Sequence, residues 1–249
     1  YPLVIISHGH PGNRHLMTPI AENIASKGYV VVAIDHTDST YNTLGANGLY
    51  SAIVNRPLDQ KFVLNKIASL AQDSSSFLYG LANTNNTAII GYSMGGYGTL
   101  VTLGAGINAA TATAYPLAAQ HLSGSDTHTA MADSRIKTAV TFAPAGTKHG
   151  WISNSALADI QVPVLFIAGS VDGTVGYEDG VRQTWTNTTS VDRSLLTFVG
   201  AGHNVGAPMS PPLEAYKFDS TINMHVTNHY IDPVWDNLRM NNISQHFIT

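Results

Sequence analysis

The chain has 249 residues, 44% apolar and only 11% charged, with a formal net charge of −4 and no cysteine. That length and apolar content suffice for one well-buried core, so a single domain over 1–249 is expected. Only 12 Lys and Arg, with no basic run among them, leave no electrostatic footprint for nucleic acid or an anionic membrane, and the absence of cysteine excludes disulfides, thiolate metal sites and a thiol nucleophile.

Taken in chain order, Leu3 to Ile6 is a β-branched run expected to be a strand. Met17 to Ser26 is amphipathic and ends at Lys27-Gly28, a basic last turn followed by a C-cap glycine. Tyr29 to Ile34 reads as the second strand. Leu58, Phe62, Val63, Ile67 and Leu70 recur at helical spacing, which predicts a helix over Leu58 to Leu70. Thr87 to Ile90 is the third strand, followed by a small-residue helix through Leu103. Further strands are expected at Thr138 to Phe142, Val164 to Ala168 and Ser194 to Val199, and a last helix at His229 to Phe247, broken near Pro233.

Strands apolar on both faces and alternating with helices predict an α/β fold, a doubly wound, mostly parallel sheet flanked by helices. Ligands then bind beyond the carboxyl ends of the strands. Two insertions interrupt the pattern, segments 107–134 and 204–228, each readable as surface insertion or as a cap or flap over the site. In the first, Ile107, Tyr115, Leu117 and Leu122 could line an acyl pocket. No apolar stretch reaches the roughly 18 residues of a membrane span. Low charge, many Asn and Thr and absent Cys suit a secreted or periplasmic protein. The start at Tyr1 inside an apolar run, without signal peptide or initiator Met, is read as a mature or trimmed piece of a longer chain. A monomer is expected.

Gly91-Tyr92-Ser93-Met94-Gly95 follows the third strand and opens a helix. This is G-x-S-x-G in the context its chemistry needs: a strained strand-to-helix turn lifts the serine hydroxyl above the sheet edge, and small flanking residues avoid clashes. A serine hydroxyl needs a base, and the base an acid that holds its tautomer. The loop after Ala168 supplies Asp172 and the loop after Val199 supplies His203, in the order Ser, Asp, His. Asp179, seven residues beyond Asp172, is a reserve acid. An oxyanion hole needs two N–H donors. One is expected from Met94. The other should come from Ser7-His8-Gly9-His10-Pro11, where Pro11 cannot donate and the amide of His10 is favoured. Eleven His residues raise a metal site, but no H-E-x-x-H or comparable spacing accompanies them, so neither metal nor cofactor is expected.

These segments, with Ile24 to His36, Asp35-His36-Thr37-Asp38, Arg56-Pro57-Leu58-Asp59 and Ala143-Pro144 to Trp151, resemble the α/β-hydrolase superfamily. The resemblance is to its platelet-activating-factor acetylhydrolase-like and dienelactone-hydrolase-like serine esterases and to the polyester-cleaving cutinases, over nearly all the chain. Dienelactone hydrolases proper use cysteine as nucleophile where this chain has Ser93, so lactone ring opening is not the expected reaction. The resemblance implies a substrate contact for Trp151, which a partly buried core position would equally accommodate. Tyr92, beside the nucleophile, is read as core packing and as a second candidate substrate contact.

The expected function is hydrolysis of short to medium acyl esters through an acyl-enzyme, on a small-molecule or polymeric ester. Polyesterase or lipase action is an alternative, and a cofactor-free perhydrolase or haloperoxidase, or a non-catalytic binding module, are remoter ones.

Overall fold

A computed structural model describes residues 1–206, 209–211, 213–220 and 224–248. Six strands, β1 (Pro2–Ser7), β2 (Val30–Ile34), β3 (Asn83–Tyr92), β4 (Ile136–Phe142), β5 (Val164–Gly169) and β6 (Arg193–Phe198), pair in parallel in the order β2-β1-β3-β4-β5-β6. Two-residue strands β7 (Phe218–Asp219) and β8 (Met224–His225) form a separate antiparallel pair within the second insertion. The helices are α1 (Thr18–Ser26), α2 (Gly48–Gln72), α3 (Met94–Thr102), α4 (Ala109–Ala114), α5 (Asp126–Thr129), α6 (Arg182–Asn187) and α7 (Asn237–Ile248).

The order follows from the handedness of parallel connections. From β1 the chain moves one way to β2 and then back past β1 to β3, so right-handed crossovers send α1 and α2 to opposite faces. Accordingly α1 packs with α7, and α2 with α3. Covered on both sides, β1 buries Leu3, Val4, Ile5 and Ile6 together, each worth about 1.5–3 kcal/mol relative to exposure. The reversal of strand order between β1 and β3 opens a crevice at their carboxyl ends, where α/β sheets bind ligands.

The strands lie where the apolar runs predict them, with β3 extended to Asn83. Helix α2 begins at Gly48, ten residues before the expected start, and carries Pro57 in its interior. Proline has no N–H for the carbonyl four residues back and normally stops a helix. Here the freed Ile53 carbonyl accepts a hydrogen bond from the Tyr97 hydroxyl of α3 at 3.1 Å, and His121 Nε2 donates to the Val54 carbonyl at 2.8 Å. Tertiary donors thus replace the missing helical bond.

His121 belongs to the first insertion, which packs down onto α2; the Leu117 amide also bonds the Tyr50 hydroxyl at 3.1 Å. Ile107 is buried in the core, bridged to Leu122 and Ile152. The expected last helix is corrected at its start: residues 230–236 are turns, and α7 begins at Asn237. The Asp232 carboxylate accepts from the Val234 and Trp235 amides, both at 2.9 Å, and this local turn outcompetes helix. Among the described residues no helix is long and apolar enough to cross a membrane.

Candidate active site

Ser93 sits between β3 and α3 with φ 53° and ψ −114°, a left-handed conformation rare for a residue with a Cβ. The turn is held by the Ser93 amide donating to the Phe142 carbonyl at 2.9 Å and by the Ser93 carbonyl accepting from Tyr97 and Ala145. It is also tight. A Cβ on Gly91 would run into the Gly95 carbonyl, and one on Gly95 into the Ser7 carbonyl of β1. Ser93 is buried at the N-cap of α3, a helix end where partial positive charge favours an anion.

The structure brings Ser93, His203 and Asp172 together from three strand ends. His203 Nε2 is 3.0 Å from Ser93 Oγ, and His203 Nδ1 is 2.8 Å from Asp172 Oδ2. Asp172 Oδ1 accepts from the Thr174 and Val175 amides at 2.8 and 3.0 Å, so both carboxylate oxygens are engaged. With Asp172 ionised, Nδ1 carries the ring proton and Nε2 is left to accept from the serine hydroxyl. Burial pushes the Asp172 carboxyl up, but the hydrogen bond and charge of His203, with the two amides, outweigh it and hold it below its ordinary value. Asp179 makes no bond to His203; its carboxylate packs beside Gly176.

His10 lines the same cavity as Ser93, Met94 follows Ser93 in the chain, and neither amide donates to another described residue. Gly9 lies against Ser93: a Cβ there would come within 3.3 Å of Ser93 Cβ and 3.0 Å of the Tyr92 ring. The Tyr92 ring packs on His203 with centroids 5.2 Å apart and lines the cavity in front of Ser93. That cavity holds about 570 Å³. Its walls are His10, Pro11, Leu16 and Tyr41 from one side and Asn228, Ile231, Asp232 and Pro233 from the other.

Of this second wall, Ile231, Asp232 and Pro233 were missed from sequence because they fell in the expected last helix, whereas Asn228 ends segment 204–228, read as a possible cap or flap. Two side chains stitch it to the histidine loop: Asn204 Nδ2 donates to the Asn228 and Ile231 carbonyls, and Asp232 Oδ2 accepts from the Gly202 amide at 2.7 Å. Of segment 204–228, residues 207, 208, 212 and 221–223 lie outside the described residues. None of Ile107, Tyr115, Leu117 and Leu122 lines the cavity, contrary to the acyl-pocket expectation, because their segment is spent covering α2. Trp151 does not line it either. It is half-buried, stacked on His149 at 4.4 Å and edge-on to Tyr97 at 5.7 Å. Its loop is tied to the acid loop by Lys148 Nζ donating to the Gly173 carbonyl at 2.8 Å. Among the described residues no group of three His, Asp or Glu side chains is placed to hold a metal ion.

A parallel sheet in this order, with a strained serine after β3, an acid after β5 and a histidine after β6, is the α/β-hydrolase fold. Within it, residues 1–124 match the family described as PETase, PET hydrolase-like. The chain is 27% identical over 205 residues to cutinase est1 of Thermobifida alba, which covers 82% of this chain and 53% of that protein. It is 26% identical over 204 residues to cutinase 2 of Thermobifida cellulosilytica and to cutinase cut1 of Thermobifida fusca, covering 82% of this chain and 60% and 50% of those proteins. The chain thus spans about half the length of these relatives.

Proposed function

We propose that the protein is a serine-dependent carboxylic ester hydrolase working through an acyl-enzyme, with Ser93 as nucleophile, His203 as base and Asp172 as orienting acid. The observation that carries this is the unbroken chain from Ser93 Oγ through the His203 ring to Asp172, 3.0 and 2.8 Å long, at the mouth of a substrate-sized cavity. Ser93 Oγ attacks the ester carbonyl carbon as its proton passes to His203 Nε2. The carbonyl oxygen becomes an oxyanion received by the His10 and Met94 amides. Collapse breaks the bond to the alkoxide, which takes the proton from Nε2. Water, deprotonated by the same nitrogen, then repeats the sequence and frees the acid. No step calls for a cofactor or a metal.

Asp172→Asn is expected to lower kcat by about 10⁴-fold, because an amide facing Nδ1 favours the wrong tautomer. Asp179→Asn should leave kcat near wild type. Steady-state rates on a chromogenic ester check both, and the reverse pattern would make Asp179 the acid.

The substrate class is short to medium acyl esters. The cavity is bounded by the nearby walls just described, and Asn228, Ile231 and Pro233 stand exposed at its rim rather than roofing a long tunnel. Each methylene is then discriminated by only about 1–3 kcal/mol. A panel from acetyl to palmitoyl esters should show kcat/KM peaking at short or medium chains; a steady rise to palmitoyl would point to a lipase. The similarity to PET hydrolase-like proteins and cutinases favours one further reading, that the same site cleaves a polyester chain laid across the exposed rim. Release of soluble acid from an amorphous polyester film tests it. A secreted, monomeric enzyme without a nucleic-acid partner fits the low charge and the cutinase relatives.

A further inference from the structure

Arg56 of α2 is completely buried directly beneath the loop that carries the His10 amide. Burying a guanidinium is costly unless its donors are used. Its two terminal nitrogens are spent here, Nη1 donating to the His8 carbonyl and Nη2 to the Gly9 carbonyl at 2.8 Å and to Ser39 Oγ of the loop after β2 at 2.5 Å, while Nε has no partner among the described residues. The Gly9 carbonyl takes a second donor, His8 Nδ1, at 2.6 Å, while His8 Nε2 accepts from the His36 amide at 3.3 Å. Below, Ser7 Oγ bonds His36 Nε2 at 2.8 Å and His36 Nδ1 bonds Asp59 Oδ2 at 2.6 Å. This second Ser-His-Asp chain is sealed from solvent at Ser7 and His36, so it is scaffolding rather than a second reaction centre.

The Gly9 carbonyl and the His10 N–H belong to one peptide plane and point in opposite directions across it. A cation that grips the carbonyl from below therefore fixes where the N–H points above, and by withdrawing electron density it strengthens that N–H as a donor. Resting on the hydrolase reading, we infer that Arg56 is a positioning residue of the oxyanion hole, aiming and polarising the His10 amide through the Gly9 carbonyl. It touches no substrate. Burial draws the Arg56 guanidinium down to about 9, with Asp59 one turn away supporting its charge, so the grip is charged at neutral pH. Burial and the Arg56 charge draw His8 down to about 2, which leaves its ring neutral and able to share the Gly9 carbonyl without repelling the guanidinium.

The test compares Arg56→Lys, which keeps the charge but loses the fork, with wild type on an aryl acetate and on its thiono analogue, whose C=S is a poor oxyanion-hole acceptor. Ser39→Ala, which removes a neutral anchor of the same fork together with the 2.7 Å bond from Ser39 Oγ to His10 Nδ1, serves as the milder variant, so the His10 resonance bears on the clamp in Arg56→Lys alone. Arg56→Lys is expected to lower kcat on the oxo ester by about 10- to 100-fold with KM held within about threefold, and to lower the thiono rate far less. Ser39→Ala should show the same pattern at about 2- to 10-fold. In the resting protein the His10 amide resonance should shift in Arg56→Lys, a readout that needs no turnover. Equal losses on the two esters, or unchanged kcat with an unmoved His10 resonance, would overturn the clamp. A wild-type protein inert towards esters whose His10 resonance still moves would instead overturn the hydrolase reading and leave the clamp standing.

Discussion

Ser93→Ala is expected to lower ester turnover by about 10⁴- to 10⁶-fold while leaving the fold intact. Among the described residues the hydroxyl bonds only His203, and the backbone bonds that shape the turn, to Phe142, Tyr97 and Ala145, do not involve the side chain. Alanine tolerates the φ of 53° no worse than serine does, so the melting temperature should move little. His203→Ala should be about as severe, and the double variant no worse than either alone, since members of one proton-transfer chain do not add. Initial rates on a p-nitrophenyl ester, with circular dichroism as the folding control, settle the matter. A folded Ser93→Ala protein retaining more than a few per cent of wild-type kcat would remove this serine from the mechanism.

Gly95→Ala is expected to cost about 4 kcal/mol or more of stability, the range reached only by a few named mechanisms such as overpacking. The new methyl would enter the space of the Ser7 and His8 carbonyls, both backbone. Ser7 ends β1, whose register with β2 and β3 runs unbroken through Ile6 and Ser7, so it cannot withdraw without disturbing the centre of the sheet. Gly173→Ala is the control. No atom lies within 4 Å of a Cβ placed there, and little change is expected. Urea unfolding of the two variants gives the comparison; a Gly95→Ala protein as stable as Gly173→Ala would mean that α3 and β1 are further apart than described.

What was legible in the sequence was whatever local chemistry decides. The first three strands of the sheet contain short β-branched runs and the others apolar ones, and the serine motif, the Asp172 turn and the Gly202-His203 turn each follow a strand directly. Misreadings arose where a distant partner overrides a local rule. Pro57 should stop a helix, and α2 passes through it because Tyr97, forty residues on, satisfies the Ile53 carbonyl. The stretch before α7 has helical composition, yet Asp232 folds it into a turn and ties it to Gly202, building a cavity wall from residues expected to be helical surface. The resemblance left Trp151 either a substrate contact or a partly buried core residue, and the fold sets it half-buried against His149 and Tyr97.

Arg56 is the instructive omission. Ile53, Gln60, Leu64 and Ile67 mark the buried face of α2, and Arg56 falls on that face by its spacing. A lone arginine on an apolar helical face signals a charge with an internal task. Its partners, two carbonyls in the loop after β1 and a serine in the loop after β2, could not be named before the fold set them against it. The loop after β1 was singled out as the source of the second oxyanion donor because Pro11 narrows the available donors, whereas the arginine that grips it lies some forty-five residues away in sequence.

The central claim, that Ser93 is the group acylated by an ester under control of His203, is tested most directly by trapping the adduct. A p-nitrophenyl alkylphosphonate transfers its phosphoryl group to an activated serine and expels p-nitrophenolate, leaving a stable analogue of the tetrahedral state. Peptide mass spectrometry should then find one phosphonyl group per chain, on the peptide containing Ser93, formed with loss of ester turnover and greatly slowed in His203→Ala. A protein that hydrolyses esters while its adduct forms on another residue, or while Ser93 stays unlabelled, would contradict the account.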